Sequence, residues 1–336
     1  MLSLPQPFVV PSELEATAPP ESRGIPRDHI QLLLTDRRPQ ETTHAMFVDL
    51  PSYLHAGDLL VVNDSATIPA ALQGTRRDGS PVPVHLSSRI SGTLWIAEPR
   101  GHVQPTEVVA LPNGATATFL APVHEHSPRL WYLRLDVRDP VDEYLATSGR
   151  PIRYRYVDRD YPIAAYQTMF ARRPGSVEMP SAARPFTQPV VAALSRRGID
   201  FVSITLHCGV SSAERHEPPG AEWFEVSAAA AKRLNAARAA RRRIIAVGTS
   251  VVRALESAAN SGGDLIASRG WTELIVTPER GVIVPDGLLT GLHEPEATHL
   301  QLLEAFLPRE TIHRAYADAI AHRYLWHEFG DVHLIL

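Results

Sequence analysis

Residues 243–258 read RIIAVGTSVVRALESA, and this stretch decides the fold class. Four apolar residues, 244–247, are followed by Gly248 and then by apolar residues at helical spacing. Glycine permits a close backbone approach, and threonine and serine are typical of helix starts. The stretch therefore predicts a buried strand that ends at Gly248 and a helix that begins at Thr249 or Ser250.

Strand and helix patterns alternate on both sides of this stretch. Strands are predicted at 29–35, 59–62, 199–207 and 271–278, and helices at 188–198, 228–240, 298–306 and 310–325. Thr187 and Ser227 are the predicted N-caps of the first two helices. Such alternation indicates an α/β domain with a mainly parallel sheet.

The region from about residue 72 to 148 has a different period. Short runs alternate apolar and polar residues, and turn signals at Asp78-Gly79, Ser91-Gly92 and Asn113-Gly114 separate them. This pattern predicts a small antiparallel barrel or sandwich that interrupts the α/β region.

Composition excludes several classes of protein. The 336 residues are 44% hydrophobic and 21% charged, which is ordinary for a globular chain long enough for two cores. The single cysteine, Cys208, excludes an internal disulfide, and the N-terminus lacks the pattern of a secretory signal. No apolar run approaches the roughly 20 residues that cross a bilayer. We expect a cytoplasmic protein without membrane insertion, whose net charge of −4 leaves any RNA contact to local patches.

The start of the helix after Gly248 is the strongest candidate binding element. Free N–H groups and the helix dipole favour an anion or a ligand carboxylate there. The alternative is that Gly248 only packs a strand–helix corner, while Arg253 and Glu256 form a surface pair at i, i+3.

Two further segments carry candidates for proton transfer. His207 ends a predicted strand and precedes a polar loop that runs to Glu222, and Asp286 lies near His293 in the segment 284–306. The loop also contains Glu214, His216 and Glu217. The alternatives are a structural histidine, a solvated acidic loop and a hairpin turn without chemistry. The catalytic candidates are therefore His207, Glu222, Asp286 and His293.

Metal and common nucleotide signatures are absent from the sequence. The fifteen histidines include no pair at i, i+4 with a glutamate, and one cysteine cannot give zinc-site spacing. There is also no GxxxxGK[ST], GxGxxG or GxSxG motif. We expect no metal.

The order of several segments carries a family resemblance. They are AGDLLVVNDS, AYQTMFARRPGSVE, EWFEVS, AVGTSVVRALESA, GWTELIVTP, DGLLTGLHEP and FGDVHLIL. Together they resemble the S-adenosylmethionine:tRNA ribosyltransferase-isomerase family along nearly the whole chain. The resemblance implies an α/β fold with an inserted small antiparallel β-barrel in two domains, one formed by 1–65 plus 150–336 and the other by 66–149.

The resemblance also implies a reaction. In that family the ribosyl part of S-adenosylmethionine is transferred to 7-aminomethyl-7-deazaguanine in tRNA, yielding an epoxycyclopentanediol and releasing adenine and methionine. A sulfonium acidifies the adjacent carbon, so a positioned base can start the rearrangement. The implied cofactor-binding residues are Ser181, Phe186, Gly248, Thr249, Ser250, Arg253, Glu256 and Trp271.

The chain departs from the family pattern at several positions. Residues 183–185 read Ala-Arg-Pro where the family has Gly-Leu-His, Ala66 and Ala71 replace arginines, Gly291 replaces asparagine, and Glu328 replaces serine. These changes keep open an alternative, a relative that cleaves or rearranges S-adenosylmethionine for a small-molecule acceptor. A third reading is an inactive RNA-binding relative that uses arginines at 37–38, 172–173 and 241–243. A monomer or a homodimer is expected.

Overall fold

The computed structural model of the chain describes residues 8–38, 40–124, 127–210, 220–294 and 298–336. The strands are β1 (Gln31–Thr35), β2 (Thr42–Met46), β3 (Leu59–Asn63), β4 (Ser65–Thr67), β5 (Ala71–Thr75), β6 (Pro81–Ser91), β7 (Leu94–Pro99), β8 (Val108–Ala110), β9 (Thr116–His124), β10 (Ser127–Asp136), β11 (Arg173–Ser176), β12 (Asp200–Leu206), β13 (Glu222–Val226), β14 (Ile244–Val247), β15 (Ser268–Thr272), β16 (Gly287–Gly291) and β17 (Val332–Ile335). The helices are α1 (Leu50–Tyr53), α2 (Val141–Ser148), α3 (Gln188–Arg196), α4 (Ala228–Ala239), α5 (Thr249–Ala258), α6 (Thr298–Glu304) and α7 (Arg309–Ala321).

The largest sheet has nine strands in the order β15-β13-β12-β3-β14-β16-β17-β1-β2. Its central strands β12, β3, β14 and β16 run parallel to one another. Successive residues of β3 alternate between two cores: Leu59 and Val61 pack on one face, Leu60 and Val62 on the other. Both faces are covered, which explains the uninterrupted apolar run of this strand.

The mixed α/β class predicted from the sequence is confirmed, with two differences in the sheet. Four of its strand pairs are antiparallel, because β13, β15 and β2 extend the edges and β17 runs against β16. The strand predicted at 271–278 ends at Thr272. The carbonyls of Thr272 and Leu274 there accept hydrogen bonds from Arg253 of α5, which draws the chain out of the sheet.

The six strands β5–β10 pair in the order β10-β7-β6-β5-β8-β9 and close on themselves as a barrel. A separate apolar cluster fills this barrel, and Trp95, Phe119 and Leu133 are among its almost fully buried members. The alternation read in this region places these residues inside and their neighbours outside.

The two predicted N-caps differ. Ser227 caps α4 as predicted, since its hydroxyl accepts the N–H of Ala230 at 3.1 Å. Thr187 precedes α3, but its hydroxyl donates to Asp28 at 2.6 Å instead of capping the helix.

Topology brings the ends of several strands to one edge of the large sheet. The parallel strands β3, β12, β14 and β16 all finish there, and β17, antiparallel to β16, begins there. Ligands of such sheets bind outside the carboxyl ends of the strands. Within the described part of the chain, no helix has the length and apolar character needed to cross a membrane.

Candidate active site

A cavity of about 480 Å³ lies at this edge of the sheet. Its volume falls within the range of small-molecule and cofactor sites, roughly 300–1,000 Å³. Residues that follow β12, β14 and β16 line it, together with residues from the segments 151–156, 177–182 and 327–328. The cavity therefore collects chain segments that are far apart in sequence.

One wall of the cavity is the start of α5, formed by Gly248, Thr249 and Ser250 and called here the helix-start wall. Gly248 has φ +105°, a backbone conformation that residues with a side chain rarely adopt. A Cβ atom at this position would lie 3.6 Å from the Cβ of Ala182. The first turn of a helix leaves backbone N–H groups without helical acceptors. Ser181 lines the cavity as well, so polar donors converge at this wall.

Behind the helix-start wall, Asn63 ties the ends of two strands together. Its side-chain amide donates to the carbonyl of Leu206 at 2.7 Å and accepts the Leu206 N–H at 3.0 Å. The same amide lies 3.5 Å from the hydroxyl of Ser250. This fully buried side chain fixes β3, β12 and α5 relative to one another.

Glu222 and Arg253 form an ion pair in a second part of the lining. Arg253 also donates to the carbonyls of Leu274 at 2.9 Å and Thr272 at 3.2 Å. The Glu222 carboxylate accepts the N–H of Gly209 at 2.9 Å. Burial raises the pKa of Glu222, and the Arg253 guanidinium offsets part of that effect. The pair is therefore a satisfied, mostly buried element of the cavity.

His293 lines the cavity after β16. Its Nε2 atom is 2.8 Å from the Thr290 hydroxyl, and its ring stacks on His299 with centroids 4.8 Å apart. Burial lowers the pKa of His293 well below its usual value, and His299 adds to this effect. The imidazole is thus neutral at neutral pH and has a basic nitrogen.

A third wall is rich in tyrosine and glutamate. We call it the tyrosine wall, and it consists of Tyr154, Tyr156, Glu178, His327 and Glu328. The Tyr156 ring stacks between Tyr154 and His327, with centroid distances of 5.7 Å and 3.9 Å. The Tyr156 hydroxyl donates to Glu328, and the Tyr154 hydroxyl donates to Glu178. Burial, together with a smaller contribution from the neighbouring Glu178, raises the pKa of Glu328 to about 7.

Cys208 also lines the cavity. Burial raises the pKa of its thiol, and the Glu222 carboxylate adds to the shift. The thiol stays protonated at neutral pH, which argues against a nucleophilic role because the thiolate is the reactive form.

Seven residues predicted from the sequence line the cavity: Ser181, Glu222, Gly248, Thr249, Ser250, Arg253 and His293. Their roles in binding and catalysis stay predictions. The alternative of an Arg253–Glu256 surface pair is wrong, since both side chains are buried and Arg253 pairs with Glu222.

His207 and Trp271 lie in a second, smaller pocket of about 170 Å³. His207 points away from the large cavity because its Nδ1 atom bonds the Ser65 hydroxyl at 2.8 Å and its ring stacks on Trp223. Burial, together with a smaller contribution from the nearby Arg173, lowers the pKa of His207 to about 4. The structure thus separates His207 from the candidates Glu222 and His293, which line the large cavity.

Asp286, Glu256 and Phe186 lie away from the cavity. Asp286 precedes β16 and accepts the Ile244 N–H at 2.8 Å, at the opposite edge of the sheet. Glu256 accepts the N–H groups of Ile283 and Val284, both at 2.8 Å, and pairs with an arginine. Phe186 packs in the core between other phenylalanine rings. Asp286 and Glu256 thus accept backbone N–H groups, and Phe186 fills part of the core.

The sequence candidates Glu214, His216 and Glu217 lie outside the described residues. Within the described ranges, one group with metal-binding side chains stands close together, and it consists of His44, Asp318 and His322. These residues lie on β2 and at the end of α7, not in the cavity lining.

Arg184, one of the departures from the family pattern, has a structural environment. It is buried, pairs with Glu21 at 2.9 Å, donates to the Ala165 carbonyl at 3.0 Å and lies over the Phe329 ring. This arginine anchors the N-terminal segment next to the tyrosine wall.

Sequence reasoning missed most of the tyrosine wall. Glu328 was noticed only as a departure from serine, and Tyr154 and Tyr156 lie in a segment without regular periodicity. The two rings stack with centroids 5.7 Å apart, but the chain turns at residues 155–156, so no strand or helix period marks them in the sequence.

Comparison with known proteins gives consistent matches. A family model described as "Queuosine biosynthesis protein" matches residues 6–335. The S-adenosylmethionine:tRNA ribosyltransferase-isomerase of Stenotrophomonas maltophilia is 34% identical over 98% of this chain and 96% of the relative. The enzyme of the same name from Thermosynechococcus vestitus is 37% identical, over 93% of this chain and 90% of the relative.

A solved structure is similar as well. The crystal structure of the S-adenosylmethionine tRNA ribosyltransferase from Thermotoga maritima superposes with a TM-score of 0.57 and 27% identity. The match covers 98% of this chain and 99% of that chain. The similarity therefore extends over both the large sheet and the barrel strands.

Proposed function

The chain belongs to the queuosine biosynthesis protein family, and from this premise we propose that it is an S-adenosylmethionine-dependent ribosyltransferase-isomerase acting on 7-aminomethyl-7-deazaguanine in tRNA. The observation that carries the proposal is the cavity at the carboxyl edge of the sheet, in a chain that matches the family model over residues 6–335. In this proposal S-adenosylmethionine is a consumed substrate.

The helix-start wall is the proposed site of S-adenosylmethionine. The methionine carboxylate would accept N–H groups at Thr249 and Ser250, where the helix dipole also favours negative charge. Gly248 supports this placement because it leaves the approach to these groups free of a side chain.

We assign the first proton transfer to His293. It lines the cavity, is neutral and is oriented by Thr290, whereas Glu222 is engaged by Arg253. A base next to the sulfonium would remove a proton from the adjacent carbon, and the electron pair left there would begin the rearrangement. The Glu222–Arg253 pair would position ligand and strand ends without exchanging a proton.

Both relatives named above are described as acting on tRNA, and this favours tRNA over a small-molecule acceptor. Three of the seven arginines considered for an inactive RNA-binding reading are engaged with acids. Arg173, Arg242 and Arg243 pair with Glu225, Asp200 and Asp58. Enzymatic transfer is therefore the function we retain.

Residues 66–149 are proposed to form a domain of their own, inserted between 1–65 and 150–336. The apolar cluster of the barrel takes nearly all its members from this range, which supports the division. Limited proteolysis that releases an intact fragment near these bounds would agree with it. Light scattering would show whether the chain is a monomer or a homodimer.

The function is tested by its products. Purified protein is incubated with S-adenosylmethionine, with and without tRNA that carries the aminomethyl-deazaguanine, and adenine and methionine are followed by mass spectrometry. The proposal requires that release depends on the tRNA and that the tRNA gains the mass of the epoxycyclopentanediol. Release without tRNA would instead show a cofactor-processing relative with another acceptor.

A further inference from the structure

Glu328 is a cavity carboxylate whose charge the protein itself compensates only in part. Tyr156 is its one side-chain hydrogen-bond partner within the described residues. No arginine, lysine or histidine of those residues forms an ion pair with Glu328, and the more distant Arg184 offsets only part of the rise in its pKa. The neighbouring His327 supplies no positive charge, because burial lowers its pKa to about 4. A mostly buried carboxylate without a cation is costly unless a ligand provides one.

The position of the carboxylate is fixed by its surroundings. Tyr156, which donates to it, is held in place by the stacking of its ring with the rings of Tyr154 and His327. Phe329, the next residue, lies under Arg184 and is almost fully buried. The Glu328 carboxylate therefore has a defined direction into the cavity, and Glu178 places a second acidic group on the same wall.

From this geometry we propose that the tyrosine wall recognises a primary ammonium group of the acceptor and that Glu328 takes a proton from it. The inference rests on the proposed function, because the acceptor there carries an aminomethyl group. It adds the residue that would prepare this group for attack. Glu328 is particular to this chain relative to the family pattern described above, in which serine stands at this position.

The proton transfer changes one bond at each partner. The ammonium nitrogen loses one proton and keeps the electron pair of that N–H bond, so it becomes a neutral amine. One oxygen of the Glu328 carboxylate gains the proton and becomes a neutral carboxylic acid. The amine is then a nucleophile, and no oxidant or further reactant is required. A carboxyl pKa of about 7 suits a base that works near neutral pH.

The source of the ammonium group is either tRNA or a free base, and the chemistry recognised is the same. Binding is measured by calorimetry with two probes, 7-aminomethyl-7-deazaguanine, which is cationic, and 7-cyano-7-deazaguanine, which is neutral. Each is used as the free base and within an anticodon stem-loop. Wild-type protein is expected to prefer the aminomethyl form by about 10- to 100-fold, the range of a hydrogen bond to a charged group.

The Glu328→Gln variant keeps the size of the side chain and removes its charge. We expect it to lose the preference for the aminomethyl form while its affinity for S-adenosylmethionine remains close to wild type and its thermal midpoint is not below that of wild type. Glu143→Gln makes the same chemical change at an exposed position of α2 and should retain the full preference. A preference in the stem-loop arm alone would identify tRNA as the source.

Three results would overturn the inference. They are absence of a preference in both arms of the wild type, an undiminished preference in Glu328→Gln, and a loss of S-adenosylmethionine affinity in that variant. The last would mean that Glu328 binds a cationic group of S-adenosylmethionine. These outcomes are separable from failure of the proposed function, since ammonium preference can be present without adenine release, and adenine release without the preference.

Discussion

Two carboxylates line the same cavity but differ in what surrounds them. Glu222 has a guanidinium partner and a backbone N–H donor, so the fold satisfies its charge. Glu328 has a tyrosine hydroxyl and an acidic neighbour, and burial raises its pKa to about 7. The comparison teaches that burial alone does not assign a role. A charge paired within the protein stabilises and positions, while a charge left without a cation is available to a ligand.

Removing the cation of the Glu222–Arg253 pair should have the largest effect on stability. Arg253→Met would leave Glu222 buried without its partner, and we expect the free energy of unfolding to fall by about 3–5 kcal/mol. Urea unfolding measures this. Arg150→Met, at an exposed pair with Asp160, is the control and should cost less than about 1 kcal/mol. Equal effects of the two variants would break the distinction between a buried and an exposed pair.

Removing the charge of the second carboxylate should stabilise the protein at alkaline pH. The pKa of Glu328 is about 7 in the folded protein and 4.5 ordinarily, so the folded state binds the proton more tightly. Its contribution to stability is present below pH 4.5 and is lost as pH rises through 7.

Glu328→Gln should therefore be more stable than wild type above pH 8, by about 2–3 kcal/mol relative to the difference at pH 4. The difference between variant and wild type, followed by urea unfolding across pH 4–9, isolates this group from Asp331 and the buried histidines. A difference that is constant with pH would show that Glu328 has an ordinary pKa.

A histidine inside the cavity and one outside it extend the comparison. His293→Gln should lower kcat by about 100-fold if His293 is the base, which is the lower end for general base catalysis. His207→Gln should lower kcat by less than about 10-fold, because His207 packs against Ser65 and Trp223 outside the cavity. Adenine release under saturating substrates measures both. The reverse order would restore His207 as the catalytic candidate.

The smallest expected effect comes from Tyr156→Phe. The Tyr156 hydroxyl lowers the pKa of Glu328 by hydrogen bonding. Its removal should therefore shift the acidic limb in the pH profile of kcat/KM to higher pH, by on the order of one pH unit. Tyr132→Phe, on a barrel strand, is the matched control and should leave the profile unchanged. An unshifted limb in Tyr156→Phe would mean that this limb does not report Glu328.

The sequence predicted the parts of the fold that local pattern determines. The turn from β14 through Gly248 into α5, the Ser227 cap and the alternating strands β5–β10 each have a period or a residue preference that is visible in one segment. The strand region predicted at about 72–148 extended too far, because Val141–Ser148 form the helix α2. The end of β15 was predicted six residues too late, because it depends on Arg253, a residue distant in sequence.

The sequence predicted the residues of the candidate site only where they lie next to the ends of predicted strands. Gly248 to Ser250, Glu222 and His293 could be found because they follow strands that finish at one edge. The direction of His207 could not, because Trp223 and Ser65 determine it across the fold. The tyrosine wall combines residues 154–156 with 327–328, and no local pattern joins segments that far apart.

The central claim is that the cavity divides its substrates between the helix-start wall and the tyrosine wall. A crystal structure of the chain with S-adenosylmethionine tests this most directly. We predict that the methionine carboxylate lies at the N–H groups of Thr249 and Ser250 and that the Glu328 carboxylate contacts no part of the ligand. A complex in which the ammonium or the sulfonium of S-adenosylmethionine contacts Glu328 would contradict the account.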